Sequence, residues 1–329
     1  CVQVGGTTMA DTLPLWSVIY APGPWLWIAP NATHAGEAAK DRIEPAARMS
    51  PATRDRIGEG VTESKEDVTS KKIDFDVMRM TFAGSGTKNS TIARAIKYGV
   101  IDDFDRCEMY THEQMLDRVS SFDDYCLVSV GNPTFADVGI AVHYERSNKQ
   151  YYSVPCPHCG HKHELVWKNL RWKGGLKADP EEVRKTAWMQ CPTCKGRIEN
   201  HHKPAMLRAG AWVAERPEVT SRQGFRLSSL YSPFQNFGWC AKGFLDAKGK
   251  PGYKWVNNVL GLPWKNRGKS IDIRELKALA GAARGLKDAE GEVTGGIGGA
   301  GWCSTRVPDD CCVLCAGVDV QAEYTYVLV

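Results

Sequence analysis

The stretch A-I-K-Y-G-V-I-D-D, Ala95 to Asp103, sets the frame for the rest of the chain. A mostly apolar run of this length reads as a buried strand, and the two acids then stand at its carboxyl end. In nucleotide-hydrolysing α/β proteins such a tip holds Mg2+ through one carboxylate and orients water through the next. An acidic strand cap without catalytic duty fits the same residues.

On the carboxyl side, Thr111 to Val119 has helical periodicity, and Tyr125 to Val130 (Y-C-L-V-S-V) reads as a second buried strand ending at Gly131-Asn132-Pro133-Thr134. On the amino side, P-W-L-W-I-A-P (Pro24 to Pro30) suits a buried parallel strand. Asn31 then caps a helix through about Ala47 that carries Arg42. Residues 50–72 are charged and read as surface helix and loop, Phe75 to Phe82 as a strand, and Gly84-Ser85-Gly86 as a turn. Strand, helix and strand with polar groups at the carboxyl ends predict an α/β fold, a doubly wound parallel sheet with its site at the switch point.

Cys1 to Thr8 (C-V-Q-V-G-G-T-T) leads from apolar residues into glycines and hydroxyls ahead of a helix reaching Tyr20. Gly5 and Gly6 would let backbone N–H groups approach a phosphate, with Thr7 or Thr8 reaching Mg2+. No G-K-[ST] ending follows, and Gly-Gly-Thr alone is more often an ordinary turn.

Tyr151 to Glu199 contains two matching turns, C-P-H-C-G (Cys156, Cys159) and C-P-T-C-K-G (Cys191, Cys194). Paired C-x-x-C knuckles of this kind complete a tetrahedral four-sulfur site for Zn2+. His158, His161 and His163 are then surplus to the ligand set and are expected on the surface, a ligand set with two histidines being the lesser alternative. From Arg146 to Arg208 there are thirteen Lys and Arg against five Asp and Glu, whereas the whole chain is only +4. Such a basic surface suits phosphate contacts, or is a solvated face.

With 329 residues, 43% hydrophobic and 24% charged, the chain has room for two domains. Four of its twelve cysteines belong to the knuckles and the rest lack framework spacing, which favours a reducing compartment over secretion. No run of about eighteen apolar residues suggests a membrane span, and Cys1 to Ala10 lacks the pattern of a signal peptide. The chain starts without methionine and stops within an apolar run, so it reads as a fragment. Gly210 to Phe237 is rich in aromatic and turn residues, Phe244 to Leu260 is expected to be helical, and Lys265 to Lys287 is basic and partly helical. Glu290 to Gly301, with six glycines, reads as a linker, and Val313 to Val329 as strand, turn and strand. Cys312 and Cys315 lie three apart on an extended segment, face opposite ways and are taken as structural.

Four further segments carry a family resemblance: Y-Y-S-V-P-C-P-H-C-G-H (Tyr151 to His161), G-F-R-L-S-S-L-Y-S-P-F (Gly224 to Phe234), N-N-V-L-G-L-P-W-K (Asn257 to Lys265) and A-G-V-D-V-Q (Ala316 to Gln321). In this order they resemble the large subunit of the lambda-type tailed-phage terminase, the gpA family of ATP-driven DNA-packaging motors and nucleases. The resemblance implies ATP, Mg2+ and Zn2+ as cofactors and a deviant phosphate loop at Gln3 to Thr8, its lysine upstream. It also implies Mg2+ coordination by Asp102 and water activation by Asp103, where the family's second acid is a glutamate. Ser129, Gly131, Pro133 and Thr134 correspond to a Ser-Thr-Pro-Thr coupling segment, glycine replacing its threonine. Asp319 corresponds to the first Mg2+-binding catalytic aspartate of an RNase H-like nuclease, whose partner acids would follow Val329.

The implied organisation is an ATPase domain over 1–150, a zinc ribbon over 151–200, the remaining helical region over 201–285, a linker over 286–311 and the start of the nuclease over 312–329. The implied partners are double-stranded DNA, the terminase small subunit, the portal protein of the procapsid and further copies in a ring, in the host cytoplasm and without a membrane. A non-catalytic zinc-ribbon nucleic-acid-binding protein and an inactive prophage remnant are the competing readings.

Overall fold

Burial of the apolar run W-L-W-I-A generates the centre of the first unit: β1 (Trp25–Ala29) is covered on both faces, as a central parallel strand must be. The computed structural model describes residues 4–63, 71–86, 95–265, 317–320 and 325–328, the last two as backbone only. It divides into a unit of residues 1–265 and a unit of residues 266–329.

Around β1 stand β2 (Ile57–Glu63), β3 (Lys71–Phe75), β4 (Arg79–Gly84), β5 (Tyr98–Ile101) and β6 (Cys126–Ser129), in the order β2-β3-β4-β1-β5-β6. The pairs β1/β4, β1/β5 and β5/β6 are parallel; β2/β3 and β3/β4 are antiparallel. The parallel core is thus extended on one side by a hairpin, giving a mixed sheet.

Three expectations change here. Within the charged segment 50–72, Ile57–Glu63 forms β2, paired with β3, instead of surface helix and loop. Phe75 to Phe82 is two strands, because the chain reverses at 76–78 and Phe75 N–H donates to Met78 O at 2.8 Å. β6 is an edge strand, exposed or half-exposed along its length, not a buried one.

One face of the sheet is packed by α1 (Gly6–Tyr20) and by α2 (Ala32–Glu37), which continues through a π-helical turn (Ala38–Ile43) into α3 (Glu44–Met49). Asn31 caps α2 through its side chain, accepting from His34 N–H at 3.0 Å. Ser17 ties α1 to β1: its hydroxyl accepts from Trp25 Nε1 at 2.7 Å and donates to Pro14 O at 2.7 Å. Trp27, Ile43, Ile73, Met80 and Phe82 are fully buried in this core. The other face holds Leu26, Ile28, Ala83, Ile101 and Met115, the last from α4 (Thr111–Val119).

After α5 (Gly139–Glu145) the chain forms a second core. β7 (Gln150–Pro155) and β8 (Lys162–Glu164) make one hairpin, and β7 also pairs with β12 (Ala211–Ala214) and β13 (Phe225–Arg226). β10 (Trp188–Gln190) pairs with β9 (Leu170–Arg171) and, across a second hairpin, with β11 (Arg197–Ile198). α6 (Pro180–Thr186), α7 (Lys203–Arg208) and α8 (Phe237–Asp246) close over Val154, Leu165, Met189, Ile198, Leu230 and Phe237. The helix expected over 244–260 is interrupted: α8 ends at Asp246 and helix resumes only at Tyr253. In the second unit β14 (Gly317–Val320) and β15 (Thr325–Leu328) form an antiparallel pair. The predicted linker, the basic segment after Lys265 and the Cys312/Cys315 pair lie outside the described residues.

Candidate functional site

Parallel strands deliver their carboxyl ends to one edge, and that edge collects most of the residues singled out in the first unit. β1, β5 and β6 end level with one another, Ile28 opposite Ile101 and Ile101 opposite Ser129. Asp102 N–H donates to Ile28 O at 2.8 Å and Val130 N–H to Ile101 O at 2.9 Å, so the ladder continues into the acidic tip and the residue after Ser129.

α1 begins at the same place. Gly5 has φ +84°, the left-handed conformation that glycine adopts freely, and Gly6 is the first helical residue. A Cβ on Gly6 would sit 3.2 Å from Val130 Cγ1, so the helix start rests against the end of β6. Thr7 is half-buried and Thr8 exposed in the first turn, which carries no acidic residue. An uncapped helix start with this partial positive charge suits a phosphate.

Asp102 is held, not free. Its Oδ2 accepts from Arg42 Nη2 at 3.0 Å and its Oδ1 accepts from Asp103 N–H at 3.1 Å. The same guanidinium lies 3.7 Å from Asp11 Oδ1 on α1, and over the Trp27 ring at 5.7 Å. Burial raises the Asp11 carboxyl to about 6; Arg42 draws it down and Asp102 pushes it up. Three elements are thereby joined by one cation between two acids. Asp103 takes a left-handed φ of +52°, which aspartate tolerates better than longer side chains, and its carboxylate pairs with Arg106 at 3.2 Å.

Gly131 lies under this tip. A Cβ there would come within 3.0 Å of Phe104 N, so a larger residue cannot be accommodated without moving the backbone that follows Asp103. Thr134 directs its hydroxyl to Asp105 Oδ2, at 2.8 Å. Arg42, Asp11 and Asp105 were not among the predicted site residues. Asp105 was within reach of a reading, two positions past the acid pair, but nothing local marks Asp11 or Arg42, which meet Asp102 only through the fold.

The knuckles form the second site. Each occupies a hairpin turn, Cys156 to His161 between β7 and β8, and Cys191 to Gly196 between β10 and β11, closed by Cys156 N–H to His161 O (2.9 Å) and Cys191 N–H to Gly196 O (3.0 Å). The residue after each second cysteine is left-handed: Gly160 at φ +73° and Lys195 at +62°. All four Sγ atoms lie within 4.8 Å of one another, with Cys156–Cys194 at 3.9 Å and Cys159–Cys191 at 3.8 Å. Zn–S bonds of about 2.3 Å at tetrahedral angles place sulfurs roughly 3.8 Å apart, so the set fits zinc. N–H groups of His158 and Gly196 point at Cys156 and Cys194 Sγ, both at 3.4 Å. The histidines stay outside the cluster. His158 Nε2 meets Arg197 O at 2.7 Å, and His163, expected on the surface, is buried with Nδ1 against His161 O.

Asp319 sits on β14, opposite Tyr326 of β15. Among the described residues no helix is long and apolar enough to cross a membrane.

Solved structures similar to this chain include the Thermus phage P74-26 large terminase ATPase domain, at 13% identity over 79% of this chain and 84% of that one, with a TM-score of 0.41. The HK97 bacteriophage large terminase matches at 10% identity over 44% of this chain, TM-score 0.36. A large terminase from a thermophilic bacteriophage matches at 15% identity over 44%, TM-score 0.34. The matched parts span only 30% and 35% of those last two proteins. A comparison with curated proteins finds no match. The family model for the phage terminase large subunit gpA ATPase domain matches residues 1–212, and that for the gpA endonuclease domain matches residues 222–329. With the two models together spanning nearly its whole length, the chain belongs to the gpA family of phage terminase large subunits.

Proposed function

We propose that the protein hydrolyses ATP at the carboxyl edge of its parallel sheet and uses the reaction to drive double-stranded DNA into a procapsid, with endonuclease cutting by the C-terminal domain. The observation that carries this reading is the meeting of the α1 start, Asp102 and the end of β6 at one edge. A non-catalytic zinc-ribbon protein would not require that convergence, and family membership does not favour that alternative.

The N–H groups from Gly5 to Thr8 receive the phosphates. Asp102 would hold Mg2+, a hard cation suited to one carboxylate plus phosphate oxygens, whose charge offsets that of the γ-phosphate. Asp103 orients the attacking water once it leaves Arg106. Ser129, at the end of β6, and Thr134, in the segment that follows it, sense whether the phosphate is present. The four cysteines would hold Zn2+ as a structural clip, and Asp319 would hold a nuclease metal.

The surplus of positive charge over residues 146–208 supports contact with DNA backbone, which translocation needs and base sequence does not supply. The same reading takes 1–150 as ATPase, 151–200 as ribbon, 201–285 as helical remainder, 286–311 as linker and 312–329 as nuclease start. It has the small subunit, portal and further copies as partners in the host cytoplasm.

In the intact protein, Asp102→Asn is expected to lower kcat for ATP about 100-fold or more without loss of folding. Asp319→Asn should abolish DNA cutting and leave ATP turnover in place. Equal ATP turnover by wild type and Asp102→Asn would remove the assignment.

A further inference from the structure

Asp105 stands on the single 3-10 turn after the acidic pair (Phe104–Arg106), half-buried. Oδ2 accepts from Thr134 N–H at 2.7 Å and from the Thr134 hydroxyl at 2.8 Å; Oδ1 accepts from Ile140 N–H at 2.7 Å. Three donors on one carboxylate fix the acidic tip, the end of the 129–134 segment and the first turn of α5 as a single body. Gly139 makes room for this: it is left-handed at φ +59°, and any Cβ there would run into the Asp105 carboxylate.

The far side of Thr134 is held as well. Its carbonyl accepts from Asn257 Nδ2 and from Trp264 N–H, each at 2.8 Å, and Phe135 forms a parallel bridge with Trp264. Asn257 is 5% exposed and sits in a π-helical turn, Val256–Leu260. Its second amide proton goes to Leu262 O at 2.9 Å. A buried amide with both protons committed, one of them across 123 residues of sequence, is placed, not incidental.

We propose that Asp105 and Asn257 are positioning residues that grip Thr134 from opposite sides. Movement of the 129–134 segment during ATP turnover is thereby delivered to residues 256–264, the stretch that leads on to the second unit. This rests on the assignment of ATP to the Asp102 tip. Asp105 does not touch the nucleotide; it sets where Asp102 and Asp103 stand relative to Thr134. Asn257 supplies the mechanical load.

The test is steady-state ATP hydrolysis by the intact protein with Asp105→Asn, Asn257→Ala, the double variant, Thr134→Ser and Thr134→Val, each with a thermal melt. An amide at 105 presents N–H to a donor it used to accept from. Both single variants are expected to lower kcat about tenfold with KM for ATP changed less than about threefold. Because both act through Thr134, the double variant should lose far less than the product of the two single losses. Thr134→Ser, which keeps the hydroxyl, should lose less than Thr134→Val, and this pair keeps the test open if Asp105→Asn does not fold. Wild-type kcat in both single variants, losses that multiply, equal losses in the two Thr134 variants, or a fall in kcat matched by lost folded protein would each overturn the grip. Asp102→Asn run alongside separates the two levels: unchanged turnover there sinks the ATP site itself, whereas a loss there with a normal Asp105→Asn sinks only the grip.

Discussion

Gly131 shows how one missing methyl group sets the geometry of the acidic tip. The resemblance implies threonine at this position, yet here a Cβ would press to 3.0 Å on Phe104 N, and that N–H is already bonded to Val130 O at 2.9 Å. Gly131→Thr must therefore push residues 103–104 away from β6. A destabilisation of about 1–3 kcal/mol is expected, with a fall in ATP turnover, and Gly131→Ala should show a smaller effect of the same sign. Urea unfolding of the three proteins checks it; coincident curves would mean that the loop gives way freely. The shorter aspartate at 103 belongs to the same local solution, since its left-handed backbone is less strained for Asp than for Glu.

At the scale of elements, two half-buried groups link helix packing to pH in opposite directions. His112 on α4 packs against His143 on α5 with ring centroids 4.2 Å apart, Phe104 beside both, and neither ring nitrogen of His112 has a partner among the described residues. Burial pulls its pKa down to about 4, and the nearby His143 adds to the effect. Between about pH 6.5 and 4 the unfolded chain takes the proton and the folded one refuses it. The stability from this contact is complete above that window and is lost as pH falls through it.

Asp11 on α1 runs the other way. Its folded pKa of about 6 lies above the unfolded value of 3.8, so the folded state gains relative stability as pH drops through that interval. His112→Phe should flatten the acid loss of stability between pH 6.5 and 4. Asp11→Asn should steepen it and raise stability at pH 7 by about 1 kcal/mol. Denaturant titrations across that range read both, and an acid slope surviving His112→Phe would place its cause elsewhere.

For the whole molecule, the first unit contains separate cores, one around the six-stranded sheet and one around the knuckles, with Cys156 and Cys191 inside the second. Breaking the four-cysteine cluster should therefore loosen residues 150–260 and leave the sheet folded. Cys191→Ser is expected to release about one zinc per chain less than wild type in a colorimetric assay, and limited proteolysis should then cut the ribbon region first. Cleavage of the β1–β6 region at the same rate would show that the two cores unfold together.

The knuckles, β1, α4 and the acidic tip could be read from the sequence because each is a local pattern: fixed cysteine spacing, an uninterrupted apolar run, a helical period, an acid pair after a strand. The charged residues 57–63 gave no such pattern, since their strand is stabilised by pairing with β3 across the sheet. Likewise nothing near Asp11, Arg42 or Asn257 announces a role. Their partners lie 31, 60 and 123 positions away in Asp11–Arg42, Arg42–Asp102 and Asn257–Thr134, and such contacts exist only once the chain has closed on itself. Sequence by itself determined those local elements and the four-cysteine cluster, because they follow from side-chain type at short range. Only tertiary structure decided which charges share one guanidinium and which backbone groups are gripped, because those depend on where distant segments come to rest.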